Sequence, residues 1–390
     1  MSFDPATRIS QRVRQLQPSP IRRFFGLVES MPDAISLSIG EPDFVTPWGT
    51  RESGIFSLEK GYTRYTANLG IIELRREIAA YLRRRFDVSY DPQTEILVTV
   101  GVSEALDLAM RVLLNPGDRV VIQQPCYVAY PALVSVAGGD PVFMPTHAEN
   151  SFELAAEDFD RALAESGANV ALIGYPNNPT GAILPRERMA ALAEVAARRD
   201  VVMVSDEIYA ELTYEGDPVC FASLPGMRDR TIVLSGFSKA FAMTGWRLGY
   251  VAAPAEIISA MNKVHAYTAM CAPTMAQMAA VEALQHGERE VAMMREDYNQ
   301  RRRVILARLR ALGLSCFEPK GAFYVFPCIT STGLTSTEFA ERFLMEHRVA
   351  VVPGNAFGEC GEGYVRCCYA TALPLIEEAM ARMGQFVASL

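Results

Sequence analysis

One lysine in this chain sits in a setting that chemistry can use. The segment GFSKAFAMTGWRLG, Gly236 to Gly249, follows the apolar run TIVLS and packs small residues around Lys239. A lysine held in a tight, partly apolar setting has its charged form disfavoured, so its pKa falls and its free amine can condense with a carbonyl. Arg247, eight residues further on, carries a planar guanidinium fork suited to a phosphate. An isolated Ser-Lys pair is commonly a solvated lysine beside a turn. The length of the pattern gives this one its weight.

Such side chains need a rigid support, and the chain supplies the pattern of an α/β layer fold. The short apolar runs EILVTV, DRVVIQ, NVALIGY, VVMVSDE, TIVLSGFS and RLGYVAAP are separated by helical stretches such as PRERMAALAEVAARRD. This predicts one large sheet domain over residues 46–290. After Pro273 the sequence is helical through about Leu312, and then GAFYVFP, VAVVPG and YVRCCYA alternate with helices. A smaller α+β domain is expected from residues 291–390, joined by residues 1–45, which are too few for a core of their own.

Composition removes several function classes. The 390 residues carry 37 Lys and Arg against 45 Asp and Glu, a net charge of −8, which does not suit a generic polyanion binder. The densest cations, Arg83 to Arg85 and Arg301 to Arg303, fall inside amphipathic helical stretches and read as solvated faces, so no nucleic-acid site is expected. The eight cysteines form no CxxC pair, and none of the four histidines joins them at ligand spacing, so neither a metal site nor a disulfide framework is predicted. The N-terminus lacks a signal peptide's apolar core, and no stretch reaches about 18 apolar residues. A soluble protein of a reducing cytoplasm, without a membrane partner, is expected.

The long pattern around Lys239 resembles the pyridoxal-phosphate attachment site of class I aminotransferases. Further segments in the same order, from IGEPDF near residue 40 to YVRCCYA near residue 370, resemble the same aspartate/aromatic aminotransferase-like family. The resemblance implies fold type I, a large mostly parallel sheet sandwiched by helices plus a small α+β domain from both chain ends. It also implies pyridoxal 5'-phosphate as cofactor and small amino and oxo acids as substrates.

The resemblance implies the following site roles, residue by residue, each an expectation. Lys239 attaches the cofactor and moves the substrate proton. Gly101, Val102 and Ser103 form a phosphate turn where EILVTV ends and a helix begins, free N–H groups and the helix dipole favouring an anion there. Arg247 and Ser238 complete the cradle, although Gly236 stands where the family often has a hydroxyl residue. Asp206, ending VVMVSDE, keeps the ring nitrogen protonated; Tyr209 and Asn178 hydrogen-bond the ring oxygen; Tyr127 stacks on the ring. Tyr65 reaches the neighbour's phosphate, which makes the protein a homodimer with shared active sites. Arg366 in YVRCCYA takes the substrate α-carboxylate, with a backbone N–H from Gly40. Ile21 and Phe323 would cover the substrate side chain from two sides, and Met270 and Cys271 are candidates from the partner's chain. Read without the family, Ser103 is a helix cap, Asp206 and the NNPTG run are turn residues, and Tyr127 belongs to a core.

The reading favours transfer of an amino group from an L-amino acid to a 2-oxo acid, 2-oxoglutarate first, by a ping-pong cycle. A pyridoxal-phosphate carbon–sulfur β-lyase is the alternative, and a cofactor-free binding module is a distant third. The apolar Ile21 and Phe323 suggest an aromatic or apolar donor. Arg22 or Arg23 could serve a distal carboxylate, so aspartate stays open.

Overall fold

A computed structural model describes residues 3–16, 26 and 31–390. Among the described residues there are twelve strands, numbered in chain order. β1 is Ile35–Ser36, β2 Ile96–Thr99, β3 Arg119–Gln124, β4 Asp140–Pro145, β5 Val170–Gly174 and β6 Val202–Asp206. β7 is Thr231–Gly236, β8 Gly249–Ala252, β9 Tyr324–Val325, β10 Val349–Ala350, β11 Val352–Pro353 and β12 Val365–Cys368.

Seven of them form one sheet in the order β2-β8-β7-β6-β5-β3-β4. β3 to β7 pair in parallel, and β8 runs antiparallel to both of its neighbours. The mostly parallel sheet read from the sequence is therefore present, with one reversed strand inside it. β2, β5 and most of β6 and β7 are buried throughout, as expected for strands covered on both faces. One layer packs Ala105, Leu106 and Ala109 of the helix Gly101–Leu113 against Leu172, Val204 and Leu234. On the other side Leu192 and Ala196 of Arg186–Arg198 meet Ala171, Ile173 and Met203.

β4 is a strand that the sequence reading did not contain. It lies at the sheet edge, half-exposed, with prolines at its second and last positions, so it lacks the buried β-branched run of a central strand.

The helix after Pro273 is two helices, Thr274–His286 and Glu288–Ala311, meeting at Gly287. Beyond them the short strands assemble as β11-β12-β9, antiparallel, and as the parallel pair β1–β10. That pair joins the two chain ends, with Ile35 opposite Val349. Their common core holds Ile35, Leu37, Ile305, Phe323, Phe339, Phe343 and Phe386. Among the described residues no helix is long and apolar enough to cross a membrane, and no cluster of ligand residues suits a metal ion.

Candidate active site

The carboxyl ends of β2, β3, β5, β6 and β7 converge on one cavity of about 650 Å³, where open α/β sheets place their ligands. Gly40, Val102, Ser103, Tyr127, Asn178, Asp206, Tyr209, Ser238, Lys239, Arg247 and Arg366 all line it. Residues spread over more than three hundred positions of sequence thus share one wall, which no local pattern could bring about.

Lys239 leaves the end of β7 through Phe237 and Ser238. Its Nζ donates to the carbonyl of Gly40 at 2.7 Å and lies 5.9 Å from the ring centres of Tyr209 and Phe323. The protein packed around its tip desolvates the ammonium and lowers its pKa to about 8. The free amine anticipated from the sequence setting is therefore accessible near neutral pH.

Asp206 is the last residue of β6 and is buried. Burial pushes its carboxyl up to about 6, against hydrogen bonds from the Tyr130 hydroxyl at 2.9 Å and the Ile208 N–H at 3.2 Å. Tyr130 was missed from sequence, since an aromatic at the start of an apolar helix looks like core. Tyr209 exchanges a 2.7 Å hydroxyl–hydroxyl bond with Tyr324, another lining residue the sequence did not single out.

The helix after β2 begins at Gly101 with Val100 as its cap, so Ser103 lies within the first helical turn and is not the helix cap. Glu104 accepts the Val100 N–H and also faces the buried His265, Nδ1 to Oε1 at 2.8 Å, which fixes the turn from behind. Gly101 has φ +77°, and a Cβ there would stand 2.7 Å from Nη2 of Arg247. Arg247 itself donates to the carbonyl of Thr244 at 2.9 Å. Beneath the turn Gly249 is in register with Gly236, and a Cβ on Gly249 would lie 2.7 Å from the backbone of Gly101 and Val102. Backbone cannot yield as a side-chain tip can, so Gly249→Ala should destabilise the protein by about 1–3 kcal/mol. Thermal unfolding measures this, and an unshifted midpoint would contradict the close approach.

Arg366, in β12, is 2% exposed. Nη1 donates to Asn178 Oδ1 at 2.8 Å and Nη2 to the Ser38 carbonyl at 2.6 Å, while Nε has no partner. No carboxylate pairs with it among the described residues. A buried guanidinium without a counter-ion is costly unless an anion completes it, and the cavity is where that anion can enter.

Within the described residues, the remaining sequence expectations are not part of this wall, Gly101 among them. Phe323 does not line the cavity; it is fully buried against Tyr298 and Tyr209, and its neighbour Tyr324 takes the lining position. Pairing of β9 with β12, Tyr324 opposite Cys368, decides which of the two faces the site. Tyr65 is 81% exposed and is not part of the cavity wall of its own chain. Met270 and Cys271 likewise lie outside that wall. Ile21, Arg22 and Arg23 lie outside the described residues.

Comparison with known proteins identifies the family. The family described as Aminotransferase class I and II matches residues 32–383. A Bacillus subtilis (strain 168) protein, YugH, named provisionally as an aminotransferase, is 52% identical over 97% of this chain and 98% of its own. The aspartate aminotransferase of Pyrococcus abyssi is 45% identical, covering 96% of this chain and 97% of its own. The crystal structure of an aromatic aminotransferase from Pyrococcus horikoshii superposes with a TM-score of 0.89 at 44% identity, over 94% of this chain and 99% of that one. The architecture is fold type I of the pyridoxal-phosphate enzymes, as the resemblance implied. With the family matched across nearly its whole length, the chain belongs to the class I and II aminotransferases.

Proposed function

We propose that this enzyme moves the amino group of an L-amino acid to a 2-oxo acid, 2-oxoglutarate first among them, in a ping-pong cycle dependent on pyridoxal 5'-phosphate. One observation carries the reading. A lysine of lowered pKa, a buried carboxylate and a guanidinium lacking a counter-ion surround a single cavity at the strand ends.

The residues fit the cofactor. The small residues Gly101 and Gly249 leave room for a close backbone approach at the helix start, where Val102, Ser103, Ser238 and Arg247 would hold the phosphate. Asp206 would hold the ring nitrogen and Tyr127 the ring face. Asn178, whose Oδ1 is occupied by Arg366, has its amide nitrogen left to donate to the ring oxygen beside Tyr209. When bound, the group supplies an electrophilic carbonyl and an electron sink.

The chain's own residues do the rest. Arg366 grips the α-carboxylate, assisted by the Gly40 backbone, and so aims the substrate Cα towards Lys239. Lys239 Nζ, deprotonated in useful amounts because its environment is dry, removes the Cα proton and returns one in the reverse half-reaction. Asp206 remains ionised opposite a cationic ring nitrogen, since an opposite charge in contact offsets the burial that raises its pKa. Asp206→Asn should therefore cut kcat by about 10²- to 10³-fold. Steady-state rates test this, and a variant within threefold of the parent would contradict the role.

Two units are read in the chain, residues 46–290 as the large one and 1–45 with 291–390 as the small one. The β1–β10 pair supports drawing the small unit from both ends. A homodimer with shared sites is supported by an exposed apolar surface. Trp48, Ile55, Phe56, Tyr62, Tyr65 and Tyr267 are all exposed, and the Thr274 hydroxyl donates to the Arg64 carbonyl at 2.9 Å, which brings the 267–273 segment beside Tyr65. All eight cysteines are free, in keeping with a reducing cytoplasm.

The donor is read as aromatic or apolar, or aspartate. The cavity wall contributes Ile39, Tyr127 and Tyr324 to an apolar side chain, while relatives of similar identity carry either name. Product analysis tests the reaction type. With a donor and 2-oxoglutarate, glutamate and the donor's oxo acid should accumulate in equal amounts without ammonia. Ammonia and a thiol from a cysteine thioether, without glutamate, would favour β-elimination instead.

A further inference from the structure

Tyr324, which the sequence did not single out, touches Arg366, Tyr209 and Gly40 together. Its ring lies against the Arg366 guanidinium, Cζ to ring centre 4.5 Å, and the Phe357 ring centre is 4.9 Å from the same atom. Its hydroxyl bonds to the Tyr209 hydroxyl at 2.7 Å. The same oxygen rests on Gly40, where a Cβ would stand only 2.2 Å from it, and Gly40 in turn accepts from Lys239. Arg366 and Tyr324 are anchored to each other by the β9–β12 pairing, Tyr324 opposite Cys368.

We propose that Tyr324 is a positioning residue with two separable parts: its ring orients the carboxylate-binding Arg366, and its hydroxyl polarises Tyr209. This rests on the function proposed above. A guanidinium in contact with two aromatic rings is restrained by them, so its unpartnered Nε stays aimed without a counter-ion to hold it. Tyr209 has a single proton. If that proton goes to the cofactor's ring oxygen, the proton between the two phenols must come from Tyr324. Donation by Tyr324 then makes Tyr209 the stronger donor, favours the anionic ring oxygen and lowers the pKa of the chromophore. Both phenols are buried and held neutral by desolvation, so neither competes as an anion.

The experiment separates the parts with Tyr324→Phe and Tyr324→Leu in the holoenzyme. Two readouts need no turnover: the pH titration of the visible absorbance band, and the Kd of 3-phenylpropionate, a carboxylate with no amino group to react. Tyr324→Phe keeps the ring, so the Kd should stay within about twofold while the chromophore pKa rises by about half a unit or more. Tyr324→Leu should raise the pKa similarly and weaken 3-phenylpropionate about tenfold, the size of a desolvated cation–π contact. An unmoved chromophore pKa in Tyr324→Phe, or an unmoved Kd in Tyr324→Leu, overturns the corresponding half. A parent protein that forms no visible band with pyridoxal phosphate overturns the underlying function instead, and the proposal with it.

Discussion

Lys239→Ala should abolish transamination while leaving the fold and the phosphate cradle in place. The expected loss in kcat exceeds about 10³-fold, because one side chain both attaches the cofactor and moves the Cα proton, and general acid–base assistance alone is worth 10²- to 10⁴-fold. The amine sits 2.7 Å from the Gly40 carbonyl, and among the described residues no other lysine lines the cavity to replace it. Cofactor should still be retained noncovalently, released by dialysis, and visible without the parent's band. The pH dependence follows from the same desolvation. With its pKa lowered to about 8, the lysine is mostly charged below that value and mostly free above it. Cofactor capture by the cofactor-free parent should rise roughly tenfold per pH unit below 8 and level off above. Stopped-flow absorbance reads this rate. A flat profile from pH 6 to 9 would mean that another group limits capture.

Arg366→Ala should be nearly as damaging, but in a different kinetic constant. Truncating one partner of a desolvated, hydrogen-bonded charge pair costs about 2–5 kcal/mol, a fall of some 30- to 4,000-fold in kcat/KM. Most of that loss should appear in KM for the amino acid, since the guanidinium binds a carboxylate that is unchanged by the reaction. The alanine variant also removes a buried charge, so the fold should survive or gain stability. Arg366→Lys should recover little, because an ammonium cannot bond Asn178, Ser38 and a carboxylate at once as the planar fork does. An unchanged KM in both variants would place the α-carboxylate elsewhere.

What could be read from the sequence divides by physical type. Lys239 and Arg247 were legible from their setting after an apolar strand, whereas Asp206 and Arg366 were picked out by the resemblance to the family, Asp206 on its own reading as a turn residue. The central strands were legible from their buried β-branched runs, but the edge strand β4 was not. Tyr130 and Tyr324 were not. An aromatic in an apolar stretch serves a core equally well, and only pairing between β9 and β12 turns Tyr324, not Phe323, to the cavity. The same limit hid β1, whose two residues form a strand only because Val349 and Ala350 lie beside them. The His265–Glu104 contact spans 161 residues and leaves no periodic trace in either helix. Interactions that depend on long-range register are absent from local patterns, whatever their importance to the site.

The most direct test is an absorbance titration of the purified protein. Pyridoxal phosphate added to the cofactor-free form should produce a visible band, an L-amino acid donor should bleach it, and 2-oxoglutarate should restore it. All three changes are expected in the parent, and only noncovalent cofactor absorbance, without the bleaching and recovery, in Lys239→Ala. A parent protein that forms no band, or whose band no amino acid bleaches, would contradict the claim that Lys239 and its neighbours run an amino-group transfer.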